Sequence, residues 1–223
     1  YSRNGDSPLC VLAARSPADC FEVAIEAVRI AIKFMTPVIV LTDGYIGNAA
    51  EPWLIPDVEK FERIPVFFHD DAQNFKPFGR NAALARPWAV PGTPGLEHRI
   101  GGLEKDSETG HISYDPENHQ RMTDLRTAKI KGIAGHLKPQ EVEAGPDGGK
   151  LAVVGWGSTY GPVNQAVRHL VEEGHEISHI HLRHLAPMPR NLGALLAEFD
   201  EVLVPEMNTG QLRTILRSEF LID

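Results

Sequence analysis

A chain of 223 residues with 42% hydrophobic content is long enough for one large core or two modest ones, and two are expected. A net charge of −8 and an isoelectric point near 5.7 lack the basic face of a phosphate-backbone binder, which excludes nucleic acid as a partner class. Cys10 and Cys20 are too few for a disulfide framework and suit a reducing compartment, with one bond between them left open.

No apolar run approaches the ~20 residues of a membrane span, and no signal-peptide pattern is present, so a cytoplasmic protein is expected. The chain begins without Met, in a loop-like Tyr1–Pro8, and stops at Asp223 directly after a predicted helix. It reads as a piece of something longer.

Leu9 to Ala13 is a short apolar strand. Ser16-Pro17-Ala18-Asp19 then opens a helix with a cap, a first-turn proline and an acid. Asp19, Glu22, Glu26, Arg29 and Lys33 fall on one polar face, acids first and bases last, as the helix dipole favours. Thr36-Pro37 ends the helix, and Val38 to Leu41 has the pattern of a strand buried on both faces. Asp43-Gly44, at that strand's carboxyl end, reads either as a ligand-facing loop or as an ordinary turn.

From Glu51 to Gly149 prolines punctuate the sequence, and Phe75 to Gly102 has no sustained period. So long an unstructured stretch is uncommon in a compact domain, and a linker or wrapping arm is expected. Asp115-Pro116-Glu117 starts a helix through Met122, Leu125, Lys129 and Ile133, and Glu143 to Lys150 reads as an exposed turn.

Leu151 to Val154 is a second two-face-buried strand, followed by Gly155-Trp-Gly-Ser-Thr-Tyr-Gly161 and a helix. Val163, Ala166, Val167, Leu170 and Val171 form its apolar stripe, Ser158 or Thr159 its cap, and Gly174 its stop. Two more rounds follow. Ile177 to Leu182 is a strand, with a helix carrying Leu192, Leu195, Leu196 and Phe199; Val202 to Val204 is the next strand, with a helix carrying Leu212, Ile215, Leu216 and Phe220. Strand–helix alternation with short connections predicts a parallel sheet. The loops 155–161, 183–189 and 205–210 then share its carboxyl edge, where ligands collect.

Two cysteines cannot supply the four thiolates of a common iron–sulfur cluster, and neither a P-loop nor a G-x-S-x-G elbow is present. The spacing G-x-G-x-x-x-G misses the dinucleotide pattern by one residue, and the next strand ends in His181-Leu-Arg-His184 where NAD needs an acid. Histidines at 175, 179, 181 and 184 lack a partner ligand at a familiar spacing, so surface and loop-packing histidines are expected rather than metal. What remains is anion binding at the Gly157-Ser158 turn, with Arg183 and the Asn208-Thr209-Gly210-Gln211 loop beside it, or else a set of ordinary helix caps.

Three stretches carry a resemblance: Leu-Ala-Val-Val-Gly-Trp-Gly-Ser-Thr-Tyr-Gly-Pro (151–162), His-Leu-Arg-His-Leu-Ala-Pro-Met-Pro (181–189) and Val-Pro-Glu-Met-Asn-Thr-Gly-Gln-Leu (204–212). It extends back through Leu-Thr-Asp-Gly-Tyr-Ile-Gly-Asn (41–48), Glu-Pro-Trp (51–53), Gly-Leu-Glu (102–104) and Asp-Pro-Glu-Asn-His-Gln-Arg-Met-Thr-Asp-Leu-Arg (115–126). In collinear order over nearly the whole chain, these motifs resemble the alpha subunit of 2-oxoacid:ferredoxin oxidoreductases, most closely the 2-oxoglutarate enzymes.

The resemblance implies an α/β chain in three parts. Residues 1–60 would end a thiamine-pyrimidine-type parallel-sheet domain, 61–149 would be a proline-rich linker, and 150–223 a transketolase carboxyl-terminal-like parallel α/β domain. It implies CoA-dependent oxidative decarboxylation of 2-oxoglutarate to succinyl-CoA with electrons passed to ferredoxin. Pyruvate or branched-chain 2-oxoacids are the alternative substrates, and a non-catalytic assembly piece the alternative role. Thiamine diphosphate, Mg and a 4Fe-4S cluster are expected on a partner beta subunit, in an alpha2beta2 heterotetramer. Arg3, Asp43, Gly44 and Asn48 would face the cofactor cleft; Gly157, Ser158, Arg183, Asn208 and Gln211 would line a CoA or partner edge. No catalytic residue or metal ligand is assigned, and the segment alone is expected to be inactive. Two departures stand out. Ser2-Arg3-Asn4-Gly5 stands where the family often has Gly-Arg-His-Gly, and the family's threonine-bearing amino-terminal segment has no counterpart here. The run Asp43-Gly44…Asn48 is far too short for the thiamine diphosphate–Mg motif.

Overall fold

The computed structural model describes residues 6–222 and contains two compact units. Unit 1 holds the described residues up to Cys10, Glu26–Ile39 and Ile55–Ile133; unit 2 holds Val11–Ile25, Val40–Leu54 and the residues from Ala134 onward. The fold is mixed α/β, with a sheet in which three strands run parallel.

Strand β1 (Cys10–Ala13) is followed by helix α1 (Asp19–Phe34), strand β2 (Val38–Leu41) and the short helix α2 (Gly44–Asn48). Val23, Ala27, Ile30 and Phe34 are the buried positions of α1, one stripe at helical spacing opposite its charged face. Its start is closed reciprocally: Asp19 N–H donates to Ser16 Oγ (3.3 Å), and Asp19 Oδ2 accepts from Arg15 N–H (3.0 Å). The β2 expectation needs correction. Ile39 and Val40 are each 37% exposed, and β2 is an edge strand of its sheet. Cys10 and Cys20 are free thiols.

In unit 1, residues 61–115 contain no helix or strand longer than an isolated bridge, Phe68 with Trp88 and Lys105 with Ile112. The segment is fixed instead by side chains that satisfy its backbone. Trp88 Nε1 donates to Ile32 O (3.0 Å). Asn118, buried on helix α3 (Pro116–Ile133), accepts from Ser107 N–H (3.1 Å) and donates to Lys105 O (2.9 Å). Glu104 accepts from Arg126 (3.1 Å) and pairs with His119. The motifs 102–104 and 115–126 therefore work as ties between this segment and α3.

Unit 2 continues with β3 (Val142–Ala144), β4 (Gly149–Trp156), α4 (Tyr160–Glu172), β5 (Ile177–Leu182), β6 (His184–Ala186), α5 (Leu192–Leu196), β7 (Phe199–Leu203) and α6 (Gln211–Phe220). The larger sheet has the order β3-β5-β4-β7, with β4 parallel to both β5 and β7. Alternation along β4 divides its side chains between two cores. Ala152 and Val154 join Ile180, Leu182, Leu192, Leu196, Leu212 and Leu216 on one face, while Val153 packs with Ile177 and Val167 on the other. Both faces are covered, which is why the run 151–154 is apolar without alternation.

Four expectations are corrected here. Residues 142–144, at the start of the supposed turn, form β3, an antiparallel edge strand against β5, so the sheet is not purely parallel. Phe199 does not close a helix; α5 ends at Leu196 and Phe199 begins β7. Within loop 183–189, residues 184–186 leave the larger sheet and pair antiparallel with β1, Val11 opposite Ala186 and Leu12 opposite His184, in the order β2-β1-β6. Ser158 does not cap α4, and Thr159, which stands at the amino-cap position, makes no side-chain cap bond to it; the Thr159 hydroxyl instead accepts from Trp156 N–H (3.2 Å) in a single 3-10 turn, Gly157–Thr159, that runs straight into the helix.

Candidate functional site

Because β4, β5 and β7 are parallel, Trp156, Leu182 and Leu203 end on one rim, as the alternation of elements predicts. At that rim the turn after β4 meets Asp43. Asp43 caps α2 by accepting from Ile46 N–H (2.9 Å), and its other oxygen accepts from the Ser158 hydroxyl. Burial by itself would raise the Asp43 carboxyl. The Ser158 hydroxyl and the amides of Ile46, Ser158 and Tyr45 outweigh it and hold the group below the ordinary carboxylate value. The helix-start turn that attracts an anion thus has one from its own chain.

The same rim is tied across β4 and β7 by Glu206. Its carboxylate accepts from Trp156 Nε1 (3.1 Å), Asn208 Nδ2 (2.9 Å), Leu212 N–H (3.0 Å) and Arg213 N–H (3.1 Å). Burial would raise this carboxyl too, and the donors outweigh it, so it stays ionised at the amino end of α6. Asn208 Oδ1 completes the corner by accepting from Gly210 N–H (2.7 Å).

Under α4, His179 and His181 alternate with Ile180 and Leu182 on β5 and are 0% and 5% exposed. Their rings stand 5.4 Å apart and flank Tyr160, whose ring also carries the Arg15 guanidinium at 4.5 Å. Burial, aided by the Arg15 and Arg168 charges, pushes His179 down to about 4; burial, His179 and Arg15 push His181 down to about 3. Both rings are therefore neutral at neutral pH. Gly155 lets them approach: a Cβ there would lie 2.9 Å from Thr159 Oγ1, 3.2 Å from His181 Nδ1 and 3.7 Å from His179 Nε2. The expectation of surface histidines is corrected for 179, 181 and 184, all buried. Among the described residues, no group of three or more His, Cys, Asp or Glu side chains is placed to hold a metal ion, and no helix is long and apolar enough to cross a membrane.

Residues 1–117 match the family model described as pyruvate flavodoxin/ferredoxin oxidoreductase, thiamine diphosphate-binding. The chain belongs to this family. Across its whole length it is 51% identical to the 2-oxoglutarate oxidoreductase subunit KorA of Mycobacterium tuberculosis, of which it covers 34%. Over 95% of its length it is 29% identical to the 2-oxoglutarate synthase subunit KorA of Archaeoglobus fulgidus, covering 53% of that protein. Among solved structures it is similar to a 2-oxoglutarate:ferredoxin oxidoreductase from Magnetococcus marinus, with 2-oxoglutarate, coenzyme A and succinyl-CoA bound. The TM-score is 0.88 and the identity 34%, over 98% of this chain and 38% of that one. The chain thus spans between about a third and half the length of these family members.

The structure joins residues that the sequence divides between two faces. Asp43 and Gly44 stand with Gly157 and Ser158 at one corner, and Asn48 sits at the end of α2, its side chain donating to Gly44 O (2.6 Å). Asn208 and Gln211 stand at the start of α6, with Gln211 exposed. Arg3 lies outside the described residues. Arg183 is at the rim, but its guanidinium pairs with Asp19, whose side chain is 8% exposed. Replacing Arg183 by Ala leaves that carboxylate only the Arg15 N–H as a donor among the described residues, and a stability loss of about 1–3 kcal/mol is expected, partly recovered by Arg183→Lys. Chemical denaturation of the complete subunit checks it; unchanged stability in Arg183→Ala would refute the structural role.

Glu206 is the site residue to which the sequence reading gives no role, and the His179–His181 pair is one that it names but sets aside as surface or loop packing. The signal for Glu206 is faint: an acid two residues before Asn208 and just ahead of a helix, the position where a carboxylate meets free N–H groups. For the histidines it is period-two alternation with Ile and Leu in a strand covered on both faces.

Proposed function

We propose that this chain is part of the alpha subunit of a thiamine diphosphate-dependent 2-oxoglutarate:ferredoxin oxidoreductase. The reaction is 2-oxoglutarate plus CoA to succinyl-CoA and CO2, with two electrons delivered to ferredoxin. The observation that carries this reading is the 51% identity to a 2-oxoglutarate oxidoreductase subunit over every residue of the chain. A close structural match to an enzyme solved with 2-oxoglutarate, coenzyme A and succinyl-CoA bound supports the same substrate.

The chain's own donors fit neither an iron–sulfur cluster nor a magnesium diphosphate. It has two cysteines, one of them buried, and Asp43 is occupied by Ser158 and the start of α2. The diphosphate, Mg and a 4Fe-4S cluster are accordingly assigned to a beta subunit, in a cytoplasmic alpha2beta2 enzyme whose acceptor is ferredoxin. Within that assembly, residues 1–60 end a pyrimidine-type domain, 61–149 link and wrap, and 150–223 form a transketolase carboxyl-terminal-like domain. Arg3, Asp43, Gly44 and Asn48 are assigned to the cofactor-cleft side, and Gly157, Ser158, Asn208 and Gln211 to the CoA or partner edge, with Arg183 holding that edge through Asp19.

The test is CoA-dependent ferredoxin reduction by the complete alpha subunit mixed with its beta partner, over a panel of 2-oxoacids. Turnover highest with 2-oxoglutarate is expected. Equal or faster turnover with pyruvate or a branched-chain acid would reassign the substrate, and a complex that assembles without turnover would favour a scaffold role.

A further inference from the structure

Unit 1 holds a half-open cavity of about 810 Å³ between the carboxyl half of α1 and the segment 62–88. Although the chain as a whole is acidic, the wall of this cavity is not. Arg29, Lys33, Arg63, Lys76, Arg80 and Arg86 line it, and Glu62 is the one acidic side chain among the lining residues. Lys76 is paired with Glu108 at 2.7 Å. Arg80 and Arg86 have no carboxylate within ion-pair distance among the described residues.

Arg80 donates to Leu84 O (2.9 Å), while its Nε is buried without a hydrogen-bond partner. Arg86 stacks 4.4 Å over the Phe78 ring. Behind them Lys129 donates to Met35 O (3.1 Å) and is pushed down to about 8 by burial and by the Arg80 and Arg86 charges. Half-buried cations that repel one another and lack a counter-charge are costly, and such groups are ordinarily paired. Two guanidiniums offer planar forks that match phosphate oxygens two at a time. Ile32, Ile64, Pro65, Phe67 and Trp88 supply an apolar and aromatic part of the wall, beside the polar His69, Asn74 and Asn81, and the Trp88 indole is held in place by Ile32 O. The volume lies within the range of small-molecule pockets and exceeds what a lone phosphate fills.

We propose that this cavity binds a nucleotide-type ligand, its phosphates on Arg80 and Arg86 and its ring against Phe67 and Trp88. All the residues that line the site belong to unit 1. Calorimetric titration of the complete alpha–beta complex with ADP, and separately with inorganic pyrophosphate, tests it. Saturable ADP binding is expected, weakened by added salt, with pyrophosphate binding more weakly because it leaves the aromatic wall uncovered.

Arg80→Gln and Arg86→Gln should each weaken ADP binding about tenfold or more. Exposed Arg63→Glu, which leaves packing untouched, should weaken it by a smaller factor. Competition by CoA would identify the cosubstrate's nucleotide end as the ligand, whereas ADP binding unaffected by CoA would identify a separate free nucleotide. No saturable binding of ADP or pyrophosphate to the assembled complex, as when a partner's carboxylates already fill the cavity, would overturn the proposal. So would binding that is indifferent to all three substitutions.

Discussion

Replacing Gly145 by Ala is expected to unfold the sheet of unit 2 or to cost it more than about 4 kcal/mol, the range of severe single substitutions. Gly145 follows β3 with φ +90, a conformation that costs an L-residue roughly 1–2 kcal/mol before any contact is considered. The contacts then dominate. A Cβ there would run into the backbone carbonyl of Ile177 and lie 2.7 Å from Ser178 Oγ and 2.9 Å from Ser178 Cα, and backbone in a central strand cannot step aside. Gly174 is the internal control: its φ is also +90, with nothing within 4 Å, so Gly174→Ala should cost only the conformational part, about 1–2 kcal/mol. Native-state hydrogen exchange of β4 and β5 amides in the complete subunit separates the two. Similar small losses in both variants would show that the Gly145 turn relaxes freely.

The buried histidine pair makes unit 2 acid-sensitive well above the carboxylate range. In the unfolded chain both rings take up protons near pH 6.5; in the folded chain they resist until about pH 4 for His179 and about pH 3 for His181. Below pH 6.5 the unfolded state therefore binds more protons, and stability falls as pH falls, by up to about 1.4 kcal/mol per pH unit for each ring. Between pH 6.5 and 4.5 the loss should reach roughly 4 kcal/mol. His181→Phe, which keeps a ring of similar size beside Tyr160, should remove about one proton from that slope. Denaturant midpoints measured across this pH range decide the matter, and a flat profile in the parent protein would show that the two rings gain protons in the folded state.

Much of unit 2 was readable because burial on both faces leaves a compositional mark. Leu151–Val154 stands out as an apolar run ahead of a glycine turn and a striped helix, Ile177–Leu182 is a mixed strand in which Ile and Leu are interspersed with Ser and His, and their parallel pairing follows from the alternation of strands and helices. What escaped notice depends on distant partners. β3 is a strand only because Val142 and Ala144 find an edge on β5 across more than thirty residues, and no periodicity in so short a segment announces it. The Asp43–Ser158 contact spans 115 positions. Each residue taken alone looks like an ordinary cap or turn former, and only the fold brings the carboxylate to the hydroxyl. In unit 1 the segment 61–115 carries no period at all, since it is held by single side chains such as Asn118 and Trp88 rather than by repeating faces.

The central proposal is that the rim formed by Ser158, Glu206 and Asn208, with Asp43 at its cofactor-cleft side, is the face which unit 2 offers to CoA and the beta subunit. Hydrogen–deuterium exchange of the complete alpha subunit, alone and then with beta subunit and CoA, addresses it directly. Slowed exchange is expected at 43–48, 157–161 and 206–213. Protection confined to other surfaces, with these three segments unchanged, would contradict the account.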